Sequence, residues 1–344
     1  MTVFGLIGYG KIGERHAGYI SRHPEAKLAG AFDIKKERLD LFNQSYQQSK
    51  VYASLDDLLH DDSIDIVTIC TPNYTHAEIT IAALQAGKHV LVEKPMAIKK
   101  ADCEAMIHTS LKTGKSLFVV KQNRFNPPVQ AVKQLLELNK LGKIYSIAIH
   151  CYWNRNENYY RQSDWKGRKS LDGGTLFTQF SHFIDVVFYL LGDMQILHGQ
   201  LANVSHQGLI DFEDTGVVSF ILKDHHAPGI LHYTTSAFRQ NMEGSITIFA
   251  EHATIKIGGK YLNTIDYQVT DGFDIHDIPL SGPPNNYGDY EGSMSNHDKV
   301  IDNVILSLQG KGEIMTNAYD GLKSVEIIEN IYSIAKDYGS PQPR

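Results

Sequence analysis

Three short runs hold the residue types that chemistry needs. Gly8-Tyr9-Gly10-Lys11-Ile12-Gly13 follows the apolar stretch Val3–Ile7 directly and opens into helical periodicity through His16 and Ile20. Glycines spaced in this way allow a tight turn and a close backbone approach, and the helix start offers unpaired N–H groups to a pyrophosphate. Glu93-Lys94-Pro95 ends a second apolar stretch, His89–Val92, so the Lys94 amine would stand on a rigid strand end. A partly desolvated lysine loses basicity, which suits it to take a hydroxyl proton while hydride leaves the same carbon. In the third run, Gly173-Gly174 precedes a helix expected to carry Thr178 and His182 on one face, with Gln179 between them and Asp185 a turn further on.

Asp33 ends the second candidate strand, at the distance where an acid accepts hydrogen bonds from an adenosine ribose diol. A carboxylate there repels a 2′-phosphate, so the cofactor expected is NAD rather than NADP; Lys35 and Lys36 read as solvated charges opening a helix. Thr71-Pro72-Asn73, Glu93-Lys94-Pro95 and Lys121-Gln122-Asn123 each follow a predicted buried strand. In open α/β sheets that edge is where ligands bind. A further segment, from Tyr152-Trp153-Asn154-Arg155 through Tyr159-Tyr160-Arg161 to Trp165-Lys166-Gly167-Arg168-Lys169, is rich in aromatics and cations. Aromatic faces bind sugar or base rings and arginine pairs with phosphate or carboxylate, so the segment suits an anionic glycosyl ligand.

The elements that must position these residues change character along the 344 residues. Candidate strands Val3–Ile7, Lys27–Phe32, Ile64–Cys70, His89–Val92 and Leu117–Val120 are continuous apolar runs alternating with amphipathic stretches, the pattern of a doubly wound parallel sheet. Past Pro127-Pro128, Ile144–Tyr152, Thr215–Leu222, Gly229–Ser236, Ser245–Ala250 and Ala253–Ile257 alternate between turn residues, as in an antiparallel sheet. Helical periodicity returns at Ser181–Leu191, Asp298–Leu308 and Gly321–Lys336. The expected fold is therefore α/β, with a Rossmann domain over 1–124 and an α+β domain on a large, mostly antiparallel open sheet over 125–344.

A formal charge of −6 argues against nucleic-acid binding, which needs clustered cations. Cys70, Cys103 and Cys151 are too few and too scattered for a disulfide framework or a metal site, so no metal is expected and the thiols suit a reducing cytosol. The chain begins in a strand without a basic leader, and no apolar run reaches the ~20 residues of a membrane helix, so a cytoplasmic location is the expectation.

Gly8–Gly13, Glu93-Lys94-Pro95 and the Gly-Gly…His182-x-x-Asp185 pattern together resemble the glucose-fructose oxidoreductase/inositol dehydrogenase family (Gfo/Idh/MocA) over essentially the whole chain. Lys121-Gln122-Asn123-Arg124-Phe125-Asn126-Pro127-Pro128, Tyr159-Tyr160…Trp165 and Leu171-Asp172-Gly173-Gly174 are similar to UDP-N-acetyl-glucosaminuronic acid 3-dehydrogenases of lipopolysaccharide sugar synthesis. The resemblance implies NAD-dependent oxidation at C3 of the sugar and a homodimer or homotetramer. Lys94 and His182 match the family's catalytic positions. The expected cofactor set is Gly8, Gly10, Lys11, Ile12, Gly13, Asp33, Thr71, Asn73, His76, Glu93, Lys94, Gln122 and Trp165, and the substrate set is Asn123, Arg155, Arg161, Arg168, Thr178, Gln179 and His182. Two departures matter. Thr178 stands where the wider family has Asp, which weakens His182 as a base and favours Lys94 as proton acceptor; Lys166 stands where many relatives have Arg, which keeps a cation but loses the planar fork. An inositol or free-sugar dehydrogenase and a non-catalytic NAD-binding sensor remain the alternatives.

Overall fold

The structure, a computed structural model, describes residues 1–288 and 290–337. The described residues form two compact units, one of Met1–Lys121 with His297–Leu322 and one of Gln122–Asn296 with the described residues from Lys323 onward.

The first unit is built on six strands: β1 (Thr2–Ile7), β2 (Ala26–Phe32), β3 (Lys50–Val51), β4 (Ile66–Ile69), β5 (His89–Val92) and β6 (Leu117–Val119). They lie in the order β3-β2-β1-β4-β5-β6 and every pairing is parallel. Parallel pairing requires a crossover between neighbours, and the helices that make it bury both faces of the sheet. That is why β4 and the Val90–Val92 part of β5 are wholly buried and why these runs read as unbroken apolar sequence. The strand order reverses between β1 and β4, which places the ends of those strands at a topological switch point. Helix 11–22 starts directly behind Gly10 and buries Gly13, His16, Ala17 and Ile20 along one side. Helix 297–308, far away in sequence, packs against it with Val300, Ile301, Val304 and Ile305 buried.

The second unit carries β7 (Ile144–Tyr152), β8 (Met194–Ala202), β9 (Thr215–Leu222), β10 (Ala227–Thr234), β11 (Glu243–Ala250), β12 (Ala253–Gly258), β13 (Thr264–Thr270), a hairpin of β14 (Pro284–Asn286) and β15 (Glu291–Met294), and β16 (Lys336–Asp337). Eight of them form one sheet, β13-β12-β11-β7-β10-β9-β8-β16, antiparallel except at β7/β10 and β8/β16. One face packs on helix 181–191, whose Phe183, Ile184, Val186, Val187 and Leu190 are buried. Along the other, Val217, Ile230 and Phe249 stay 46%, 45% and 41% exposed. Two strands carry too weak an alternation to be foreseen: β8 exposes two consecutive residues at a register shift, and β13 buries almost nothing. The helix expected over Gly321–Lys336 runs Ala318–Ile334 instead. Lys336 leaves it because the otherwise open edge of β8 offers its backbone a ladder partner.

Candidate active site

The glycine turn is shaped by backbone that no side chain would tolerate. Gly8 has φ +92°, and a Cβ there would lie 2.8 Å from the Cys70 carbonyl oxygen; at Gly13 it would lie 2.0 Å from the Gly8 carbonyl oxygen. Both positions therefore demand glycine, and the turn brings the first N–H groups of helix 11–22 to the β1 end. Lys11 and Ile12 form the first turn of that helix, Lys11 exposed and Ile12 half-buried. Asp33 is only 6% exposed and acts as the turn's anchor. Its carboxylate accepts from the Tyr9 amide (2.7 Å) and the Lys35 amide (2.8 Å), with Arg38 Nη1 at 3.2 Å. A small polar cradle closed by an acid on its rim fits the pyrophosphate and ribose of a dinucleotide.

The neighbouring strand ends are locked together from behind. Thr71 Oγ1 accepts from Thr75 Oγ1 at 2.7 Å, and Asn73 is buried on the following turn. His76, fully buried, lies between the Pro95 carbonyl (Nδ1, 2.8 Å) and the Thr71 carbonyl (Nε2, 2.9 Å). Burial pulls its pKa below the ordinary histidine value, so the neutral ring donates to only one of the two carbonyls at a time. Glu93 Oε1 is 2.9 Å from His16 Nε2 and 3.4 Å from His297 Nε2, while its Oε2 accepts the Lys94 amide at 3.0 Å. Burial alone would raise this carboxyl, but the two imidazoles outweigh it and hold it well below the usual carboxylate range. Glu93 is thus spent on fixing the backbone that carries Lys94. His297 comes from a distant helix, and no spacing in the sequence announces it.

In the second unit, Gln122 Nε2 donates to Ser293 Oγ at 2.9 Å, and the same hydroxyl lies 3.3 Å from His182 Nε2. Ser293 escaped sequence reasoning because it sits 111 residues from the histidine it touches. Asn123 is 1% exposed and, among the described residues, neither atom of its amide has a partner, an arrangement that asks for a ligand or water. Residues 176–180 form a π-helical turn ahead of helix 181–191, so Thr178 and His182 are separated by a change of helix type. The Thr178 hydroxyl is turned onto the Asp172 carboxylate. π-turns of this kind recur at functional sites because they redirect side chains at one point of a helix.

Arg155 is 2% exposed, with Nε on Gln179 Oε1 (2.6 Å) and Nη1 on the Asn154 carbonyl (2.6 Å). Trp153, Tyr159 and Tyr290 surround its guanidinium, with ring centres 5.1, 5.2 and 5.3 Å away. Lys166 Nζ lies 3.9 Å from the centre of the Tyr159 ring and 5.2 Å from that of Tyr290, and burial pulls its pKa down. Tyr159 is pushed up to about 12 by burial, so its ring stays neutral between the two cations. Trp165 is half-buried on the loop that carries Lys166. Arg161 pairs with Glu157 at 2.5 Å on the surface, and Arg168 is exposed.

Residues 3–121 match the oxidoreductase family with an NAD-binding Rossmann fold, and residues 133–338 match the C-terminal alpha/beta domain of the same family, Gfo/Idh/MocA. The chain belongs to that family and is an NAD-dependent oxidoreductase acting on CH–OH groups. Two solved relatives are each 32% identical to it over 96% of its length. They are the WlbA dehydrogenase of Bordetella pertussis (95% of that chain, TM-score 0.84) and that of Chromobacterium violaceum (93%, TM-score 0.87), both in complex with NADH and UDP-GlcNAcA. Glucose-6-phosphate 3-dehydrogenase of Bacillus subtilis is 27% identical over 96% of each chain. An uncharacterized oxidoreductase of Bacillus subtilis, YrbE, is 29% identical over a match that spans 64% of its length.

Proposed function

We propose that this chain oxidises a ring hydroxyl of a nucleotide sugar, C3 of UDP-N-acetyl-glucosaminuronic acid, to the ketone. The observation that carries this reading is the pair Arg155 and Lys166. Among the described residues neither has a carboxylate within ion-pair distance, although Arg155 is buried and Lys166 largely so. Buried cations without counter-charges are costly, and an anionic substrate removes the cost. Similarity to dehydrogenases solved with UDP-GlcNAcA supports the same substrate class.

NAD⁺, when bound, supplies the hydride acceptor. In this reading Lys94 takes the proton of the hydroxyl as its C–H hydride departs, leaving the ketone and a protonated amine. His182 is read as positioning or polarising a substrate hydroxyl, its Nε2 being held toward the Ser293 hydroxyl. Glycines 8, 10 and 13, with Asp33, take the dinucleotide; Gln179 and Asn123 face the sugar. The half-exposed apolar residues on the sheet support assembly into a homo-oligomer, and three buried free thiols support a cytoplasmic setting. Among the described residues no helix is long and apolar enough to cross a membrane.

The decisive assay strips nucleotide from the protein, restores NAD⁺, and follows absorbance near ~340 nm, where reduced nicotinamide absorbs, with UDP-N-acetyl-glucosaminuronic acid, free glucuronate and myo-inositol. A rise with the UDP-sugar alone is expected, with Lys94→Ala lowering kcat about 10²–10⁴-fold. A rise with a free polyol instead, or NAD binding with no reduction at all, would overturn the proposal.

A further inference from the structure

A cleft of about 460 Å³ opens beside Arg155 in the second unit, and its lining includes Arg161, Arg239, Ser205, His206 and Phe238. That volume lies within the range of small-ligand sites. Three arginines against the one lining acid, Glu157, leave a net charge of +2.

The floor is rigid. Asp214, fully buried, collects the amides of Val204 (3.1 Å), Ser205 (2.7 Å) and His206 (3.1 Å) together with His206 Nδ1 (2.9 Å). His206 Nε2 is spent on the Arg155 carbonyl at 2.6 Å, so the Ser205, His206 and Asp214 grouping holds shape and activates no nucleophile. The rim is different. Phe238 is 78% exposed, an unusual position for so large an apolar ring, and Arg239 lies over it with its guanidinium carbon 4.7 Å from the ring centre.

We infer that this cleft receives the nucleoside diphosphate end of the substrate, with Arg239 and Arg161, the latter exchanging its surface partner Glu157 for the ligand, as counter-charges for the diphosphate and Phe238 as the platform on which the base stacks. Two positive charges in excess match a diphosphate, guanidinium forks suit phosphate oxygens, and an exposed aromatic beside them suits a planar base. Through Gln179, Arg155 links this cleft to the π-turn that precedes the helix of His182. The assignment rests on the nucleotide-sugar reading above and specifies where the nucleotide lies.

Isothermal titration of the NAD-loaded protein with UDP, inorganic pyrophosphate and uridine tests it. UDP is expected to bind best and uridine least. Arg161→Ala and Arg239→Ala should each weaken UDP about tenfold, while NAD affinity and thermal melting stay unchanged. Phe238→Ala should weaken UDP about fivefold and leave pyrophosphate untouched. UDP affinity within twofold of the unmodified protein in both arginine variants would overturn the inference, and equal affinity for pyrophosphate and UDP would overturn the stacking role. If the UDP-sugar is oxidised with an unchanged KM in these variants, the nucleotide lies elsewhere and only this inference falls. If UDP binds as expected but no UDP-sugar is oxidised, the cleft stands and the proposed reaction falls.

Discussion

The dinucleotide turn and the aromatic cage around Arg155 solve similar problems by opposite means. Both concentrate positive charge at one place in the fold. At Gly8 and Gly13 that charge is the backbone N–H groups of a helix start, and the protein's contribution is the absence of side chains. Around Arg155 it is side chains alone, assembled from Trp153, Tyr159, Gln179 and Tyr290 across more than a hundred residues. The backbone site uses groups every residue has, so its only signature is which side chains must be missing. The cage uses groups that also pack cores, so composition hints at it while spacing does not.

The largest effect expected from this contrast is at Gly13. Gly13→Ala puts a methyl against the Gly8 carbonyl, which is backbone and cannot yield, so NAD affinity should fall at least about a hundredfold in a fluorescence titration. UDP binding in the same variant should stay within twofold; loss of both would mean the two regions do not act separately. Next comes Arg155→Gln, which should raise KM for an anionic substrate about thirtyfold and change kcat little. Arg155→Lys should not rescue it, because a point charge lacks the planar group that stacks on three rings. Equal damage to an uncharged sugar would show that Arg155 serves packing instead.

A third expectation concerns Glu213, which is buried beneath Tyr332 (2.7 Å) and Tyr233 (3.1 Å) and pushed by burial up to about 7. Its folded pKa lies above its ordinary value of 4.5, so its stabilising contribution is complete below that value and is lost as pH rises through 7. Glu213→Gln, which stays neutral, should therefore melt about 4–8 °C higher than the unmodified protein at pH 8, a gain of roughly 2 kcal/mol. At pH 4 the two should melt alike. A constant difference across that range would show that burial does not raise Glu213 above its ordinary value. The smallest effect is expected at His297→Gln, which weakens the hold on Glu93: kcat should drop about fivefold with KM for NAD unchanged. A matching rise in that KM would place the damage in the cofactor turn.

Much of the fold and of the candidate site was legible in the chain alone, for identifiable reasons. Continuous apolar runs at β1, β4 and β5 announce a sheet covered on both faces, and the spaced glycines announce a tight turn into a helix at the end of β1, because period and steric exclusion are local properties. Lys94 and Asp33 stand out because each ends a strand whose limits the sequence marks. Strand β13, mostly exposed, left no such trace. Nor did the partners of the conspicuous residues: that His297 reaches Glu93, that Ser293 meets His182, and that Thr178 turns to Asp172 across a π-turn. The sequence by itself determined the two kinds of sheet, the glycine cradle and the residue types able to carry proton transfer. Only the tertiary structure decided which buried charges are compensated and which, like Arg155, have no carboxylate within ion-pair distance among the described residues, because a counter-charge is a fact of distance in space and distances between remote residues are written nowhere in local spacing.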